Sequence, residues 1–113
     1  MLICGSRRYR NAAAIERYVK GLTAGTVVIH GGAPGADTLA GLYARQHGLL
    51  VVEFSADWSR YGRGAGMVRN RQMLEEGCPT EVVAFVADPS NSPGTANTVL
   101  QALARGLPVT VYN

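Results

Sequence analysis

Residues 27–37 of this 113-residue chain read Val-Val-Ile-His-Gly-Gly-Ala-Pro-Gly-Ala-Asp, and their types and spacing suit anion chemistry. A β-branched run ending at His30 empties into Gly31, Gly32 and Gly35, and a helical pattern opens at Ala36. Glycines between a strand and a helix let backbone approach a ligand and take angles that a Cβ forbids. The helix behind them aims free N–H groups and its positive dipole end at whatever sits above the loop. The same residues also suit a tight turn with no ligand. Asp37 offers a carboxylate that can hold ribose hydroxyls or orient a water, or simply cap the helix.

Two more stretches have the same character. In Gly5-Ser6-Arg7, Gly5 permits a tight exit from a first strand, Ser6 can donate to a phosphate oxygen and Arg7 can fork onto one. In Ser90-Asn91-Ser92-Pro93-Gly94-Thr95, small hydroxyl residues and a glycine precede a helix, which again suits an anion or a plain N-cap. Each loop alone is a weak signal; three at one sheet edge are hard to assign to chance. A fourth segment adds a different chemistry. Trp58 and Tyr61 present aromatic faces on which a flat base can stack, although Trp58 suits a core plug equally well. Asp57 can accept from a ribose hydroxyl or an exocyclic amine. Arg69 and Asn70 fall in the first turn of a helix read from Met67, where a basic residue opposes the dipole and so points to an anionic ligand. Met73, one turn on, reads as core.

Alternating elements must position these groups. The apolar patterns predict strands at 2–4, 26–30, 49–54, 81–86 and 108–112, and helices at 12–22, 36–47, 67–76 and 94–105. Asn11 reads as the N-cap of the first helix, and Leu39, Leu42 and Tyr43 as the buried stripe of the second. Ser55 to Gly66 reads as a long polar loop. Unbroken apolar strands require a parallel sheet covered on both faces, so the expected fold is a doubly wound α/β domain of about five parallel strands, with ligands beyond their carboxyl ends. The three anion-suited loops follow strands one, two and four.

Composition sets the class. With 47% hydrophobic and 17% charged residues, the chain reads as one folded domain. Fourteen glycines without a linker or repeat place the excess at specific turns. No long apolar run or leader pattern is present, so a soluble cytoplasmic protein without membrane contact is expected. Cys4 and Cys78 lack metal spacing and read as reduced thiols, and no metal site or cofactor is expected. The net charge is +3, with Lys20 the one lysine beside ten arginines. That bias favours planar recognition of phosphate or carboxylate over a general grip on nucleic acid.

Gly5-Ser6-Arg7, His30-Gly31-Gly32-Ala33-Pro34-Gly35-Ala36-Asp37, Ala56-Asp57-Trp58, Tyr61-Gly62, Ala65-Gly66, Arg69-Asn70 and Ser92-Pro93-Gly94-Thr95 together resemble the YspA-type (cpYpsA-related) branch of the SLOG superfamily, which includes the Smf/DprA and LOG proteins. The similarity runs from about residue 2 to residue 110. It implies a Rossmann-like fold in a bacterial or phage protein that senses or processes a nucleotide-derived ligand of phosphoribosyl or ADP-ribose type. Relatives often dimerise through helices flanking the site, which implies a homodimer. Carried over, Gly5, Ser6, Arg7, His30, Gly31, Gly32, Gly35, Ala36, Asp37, Trp58, Tyr61, Arg69, Asn70, Ser92, Gly94 and Thr95 would bind ligand. Asp37, Asp57 and Arg69 would serve any catalysis.

Two branches frame the alternatives. LOG enzymes cleave the N-glycosidic bond of a nucleoside monophosphate. Arg69 and Met73 match their Arg–Met spacing and Gly94-Thr95 match their glycine motif, but Thr98 stands where those enzymes carry a catalytic Glu. The DprA branch binds single-stranded DNA, which here would use Trp58, Tyr61 and the arginines. Binding that falls steeply with salt would mark that case.

Overall fold

Alternation along four-residue strands builds both layers of the core. In β1 (Leu2–Gly5), Ile3 faces one layer while Leu2 and Cys4 face the other. In β4 (Val82–Phe85), Val83 and Phe85 join the Ile3 side, and Val82 and Ala84 join Leu2. The structure, a computed structural model, describes residues 1–88 and 92–113; Ser90 and Asn91 of the third predicted loop lie outside the described residues. With β2 (Val27–His30), β3 (Leu50–Glu53) and β5 (Val109–Tyr112), the strands form one parallel sheet in the order β3-β2-β1-β4-β5. Helices α1 (Ala12–Lys20) and α2 (Ala36–Gln46) cover one face. Helices α4 (Ala65–Glu75) and α5 (Pro93–Ala104) cover the other. This is the predicted doubly wound α/β fold, and the strand order reverses between β1 and β4. Asn11 caps α1 as expected, accepting from the Ala14 N–H at 3.2 Å.

Three local expectations are corrected. The fully buried stripe of α2 is Ala36, Ala40 and Ala44 flanked by Asp37 and Gly41; of the predicted stripe, Leu39 and Tyr43 pack half-buried against that core, whereas Leu42 is 46% exposed. The reason is His30, whose imidazole packs so close that a Cβ at Gly41 would lie 2.5 Å from Nε2. Only small residues let the helix come that near. Second, the sheet is not covered at its edges: Leu50 is 71% exposed, and Val52, Val111 and Tyr112 are exposed as well. A short apolar run reads the same on an edge strand as on a central one. Third, the loop predicted over 55–66 contains a short helix, α3 (Trp58–Tyr61), and a 3-10 turn over Gly62–Gly64 that runs straight into α4. No helix among the described residues is long and apolar enough to cross a membrane.

Candidate functional site

A cleft of about 270 Å³ opens beyond the carboxyl ends of β1, β2 and β3. Its walls are Arg7 from the turn after β1, residues 31–34 after β2, Ser55, Ala56 and Trp58 after β3, and Arg69 from α4.

Arg69 ties the cleft together. Because α4 starts at Ala65 instead of Met67, Arg69 lies beyond the first turn, so the dipole argument does not orient it. Its contacts do. Nη1 donates to the Gly31 carbonyl, and Nε donates to Asn70 Oδ1 at 2.9 Å. Gly31 makes room for this: a Cβ there would lie 2.7 Å from the guanidinium carbon. Beneath the same loop, the buried Asp37 Oδ2 accepts from the Gly31 N–H at 2.9 Å. Burial pushes the Asp37 pKa up to about 6, while the Gly31 amide and the charges of Arg69 and Arg7 pull it down. Burial also lowers the pKa of Arg69, with Asp37 opposing. Asp37 does not cap α2. That position belongs to Gly35, whose φ of +84° is strained for any L side chain. A Cβ at Gly35 would also strike the Ser6 and Arg7 carbonyls, so this glycine lets the β2 turn lie against the β1 turn.

The glycine turn spends its amides inward. Gly31 N–H goes to Asp37, Gly32 N–H to His30 Nδ1 at 3.0 Å, and Ala36 N–H to the Ser6 carbonyl at 3.3 Å. These three amides of the turn are thus already partnered within the fold, and Arg7 and Arg69 line the cleft beside them. Burial lowers the His30 pKa, which favours the neutral ring. An accepting Nδ1 then puts the proton on Nε2. That atom has no hydrogen-bond partner among the described residues and lies 3.8 Å from Glu53 Oε1.

At the strand reversal, hydroxyls close the structure. Ala87 N–H donates to Ser6 Oγ at 3.0 Å, Ser6 and Ser92 share a 2.7 Å contact, and Ser92 Oγ donates to the Asp88 carbonyl at 2.8 Å. Since the Ser92 proton goes to Asp88, Ser6 donates to Ser92, and its hydroxyl is committed. Asn70 braces α4 to α5, donating to the Gly94 carbonyl at 3.2 Å and to Asn97 Oδ1 at 3.1 Å. Thr95 is buried, Gly94 is exposed, and neither lines the cleft, nor does Ser92. The turns after β1 and β2 thus share a wall of the cleft. The described part of the turn after β4 meets the β1 turn through Ser6 and Ser92.

Trp58 is 51% exposed, lines the cleft and is no core plug. Tyr61 lies outside the lining, with the Arg60 guanidinium 5.1 Å over its ring. Asp57 is exposed and caps α3: Oδ1 accepts from Arg60 N–H at 3.1 Å and from Ser59 Oγ at 2.8 Å, and the Ser59 hydrogen bond leads the lowering of its pKa. Ser55 and the adjoining Glu53 are not among the site residues read from the sequence, and Pro34 and Ala56 enter there only as parts of the family motifs. Glu53 had a signal, as the one polar interruption of the third apolar run.

The Gene 61 protein of Mycobacterium phage D29 is 34% identical over 118 aligned positions that cover 96% of this chain and 92% of the relative. No solved structure matches significantly. The family model described as YspA, cpYpsA-related SLOG matches residues 1–61, a span that runs through β1, the glycine turn, Glu53 and Trp58. With more than half the chain matched to that family, the protein belongs to the YspA, cpYpsA-related SLOG family.

Proposed function

We propose that the cleft binds a nucleotide-derived ligand of phosphoribosyl or ADP-ribose type, with phosphate on Arg7 and Arg69 and the base on Trp58. One observation carries this reading: two guanidinium groups and a half-exposed indole converge on one cleft at the carboxyl edge of a parallel sheet. Arg7 makes no hydrogen bond among the described residues, and its fork is free for a bidentate phosphate contact. SLOG membership supports a nucleotide-related ligand. The cleft volume, below the ~300 Å³ usual for drug-sized ligands, suits a phosphoribosyl group with the base resting on the rim. Trp58 is the sole tryptophan, so its fluorescence reads occupancy directly. Titration with AMP, ADP-ribose and a cyclic dinucleotide should quench it and raise the melting temperature with at least one of them. No quench and no shift with all three overturns the reading.

Sensing leads over turnover. Thr98 is buried and its hydroxyl donates to the Gly94 carbonyl, so it supplies no carboxylate in place of the LOG Glu. The observation that favours hydrolysis at the ribosyl anomeric carbon is Asp37, a buried carboxyl beneath the Gly31 turn that walls the cleft, its pKa pushed up by burial to about 6. Release of free base, abolished in Asp37→Asn, would establish turnover; a thermal shift without product establishes a sensor.

A further inference from the structure

We propose that Glu53 accepts the 2′,3′-hydroxyl pair of the ligand's ribose and makes the cleft selective for ribonucleotides with a free diol. The inference rests on the nucleotide reading above and assigns the sugar end of the same site. Strand β2, the glycine turn, α2 and β3 form one strand–turn–helix–strand unit, and Glu53 ends its second strand, paired with His30 across the sheet. In such units an acidic residue about 20 positions beyond the glycines is placed to meet a ribose whose phosphate sits at the turn.

The local geometry supports the role. The carboxylate lies over the bare face of Gly32, where a Cβ would be 2.8 Å from Oε2. Oε2 also accepts from Ser55 Oγ at 2.9 Å. Gly32 and Ser55 belong to the two walls of the cleft, so the carboxylate sits at the seam between them. Oε1 has no hydrogen bond among the described residues and lies 3.8 Å from the buried His30 Nε2. An ionised carboxylate has about four acceptor sites and Ser55 uses one, which leaves room for two hydroxyls. Among the described residues neither Arg7 nor Arg69 forms an ion pair with Glu53, which adjoins the lining through Gly32 and Ser55, so the arginine-walled cleft has an anionic neighbour beside it. That polarity repels phosphate from the sugar end and fixes the direction in which a nucleotide enters.

The test is equilibrium binding of AMP, 2′-deoxy-AMP and adenosine 2′,5′-bisphosphate to the full chain, read by Trp58 fluorescence. The unaltered protein should prefer AMP over 2′-deoxy-AMP by at least about tenfold, since a charged acceptor loses its donor. It should also reject the bisphosphate. Glu53→Gln should weaken AMP about tenfold, weaken 2′-deoxy-AMP less because it keeps only the 3′-hydroxyl, narrow the gap between the two and admit the bisphosphate. Equal affinity of the unaltered protein for AMP and 2′-deoxy-AMP overturns the assignment of Glu53 while leaving the nucleotide reading intact. Binding of none of the three, and of neither ADP-ribose nor a cyclic dinucleotide, overturns both. The comparison of ligands on the unaltered protein does not depend on how Glu53→Gln folds.

Discussion

Two depressions mark opposite rims of the sheet, and the larger one has the poorer chemistry. The hollow at the amino ends of the strands measures about 520 Å³ and is walled by residues such as Leu22, Thr23, Thr26, Pro79 and Thr80. Its charges are the Glu81 carboxylate and the α-amino group of Met1, which already donates to the Val27 carbonyl at 2.9 Å and whose pKa burial lowers. The cleft at the carboxyl ends is about half that size, yet it gathers two guanidinium groups and the one indole. Volume reports space, whereas recognition depends on donors and charge left over once the fold has met its own needs. A second contrast lies within the carboxyl rim. The β1–β4 reversal is the usual ligand crevice of such sheets, but its described hydroxyls are committed to one another through Ser6 and Ser92, and the free groups lie on the β2 side.

The strongest way to break this comparison is Arg69→Ala. It removes a proposed phosphate ligand, strips the Gly31 carbonyl of its donor and leaves Asp37 buried beside fewer compensating charges. Nucleotide affinity should fall about a hundredfold and stability by about 1–3 kcal/mol, bounded because Asp37 can protonate. Arg7→Ala should weaken binding while leaving the melting temperature in place, because that side chain is exposed. If Arg69→Ala keeps full affinity, the carboxyl-rim cleft is not the site.

The pH dependence of folding sharpens the same contrast. Asp37 has a pKa of about 6 against 3.8 in the unfolded chain, so folding favours its protonated form. That stabilisation is complete below pH 3.8 and disappears as pH rises through 6, a change on the order of 2–3 kcal/mol. His30 works in the other direction. Its pKa is lowered from 6.5, so its contribution is complete above that value and declines on acidification. Urea denaturation between pH 4.5 and 7.5 should show the two slopes partly offsetting in the unaltered protein. In Asp37→Asn the His30 slope should stand alone, with stability falling steadily as pH drops. An unchanged profile in Asp37→Asn would remove the buried carboxyl from the account.

Trp58→Ala tests the base platform. Base stacking on an aromatic side chain contributes about 1–3 kcal/mol, so affinity should fall at least tenfold, and Trp58→Phe should recover part of it. Thermal shift can read both variants, since neither retains the fluorescent reporter. A loss confined to ligands that carry a base, with phosphate or ribose 5-phosphate affinity unchanged, would place the base on the indole.

Part of this site is legible along the chain because the decisive relations are local. The alternation of apolar runs and helical spacing predicts the sheet and its carboxyl edge, and Gly31, Arg7, Arg69 and Trp58 can be picked out by residue type. What escapes is set by tertiary contacts. Whether the Gly31 and Gly32 amides face a ligand or the interior depends on Asp37 and His30 folding back beneath the turn. Ser6 reads as a phosphate donor until Ser92, 86 positions away, accepts its hydrogen bond. Asn70 reads as a ligand group until α5 supplies Asn97 and the Gly94 carbonyl. Asp57 has only local partners, and its capping pattern was present in the sequence but hidden inside a segment read as loop.

The smallest expected effect is the one that most directly separates the two rims. Thr23 is exposed and lines the larger hollow at the amino ends. Thr23→Trp places an indole in that hollow, at a residue whose carbonyl, and not its side chain, accepts from the Thr26 hydroxyl. A surface change of this kind shifts stability by about 0.5 kcal/mol or less. Nucleotide affinity, measured by calorimetry because the added indole confounds fluorescence, should be unchanged. The carboxyl-rim cleft is built from Arg7, the glycine turn and α4, and no wall residue is shared with the amino rim. A clear loss of affinity in Thr23→Trp, with the melting temperature preserved, would move the ligand to the larger hollow and would mean that volume, not free charge, had marked the site.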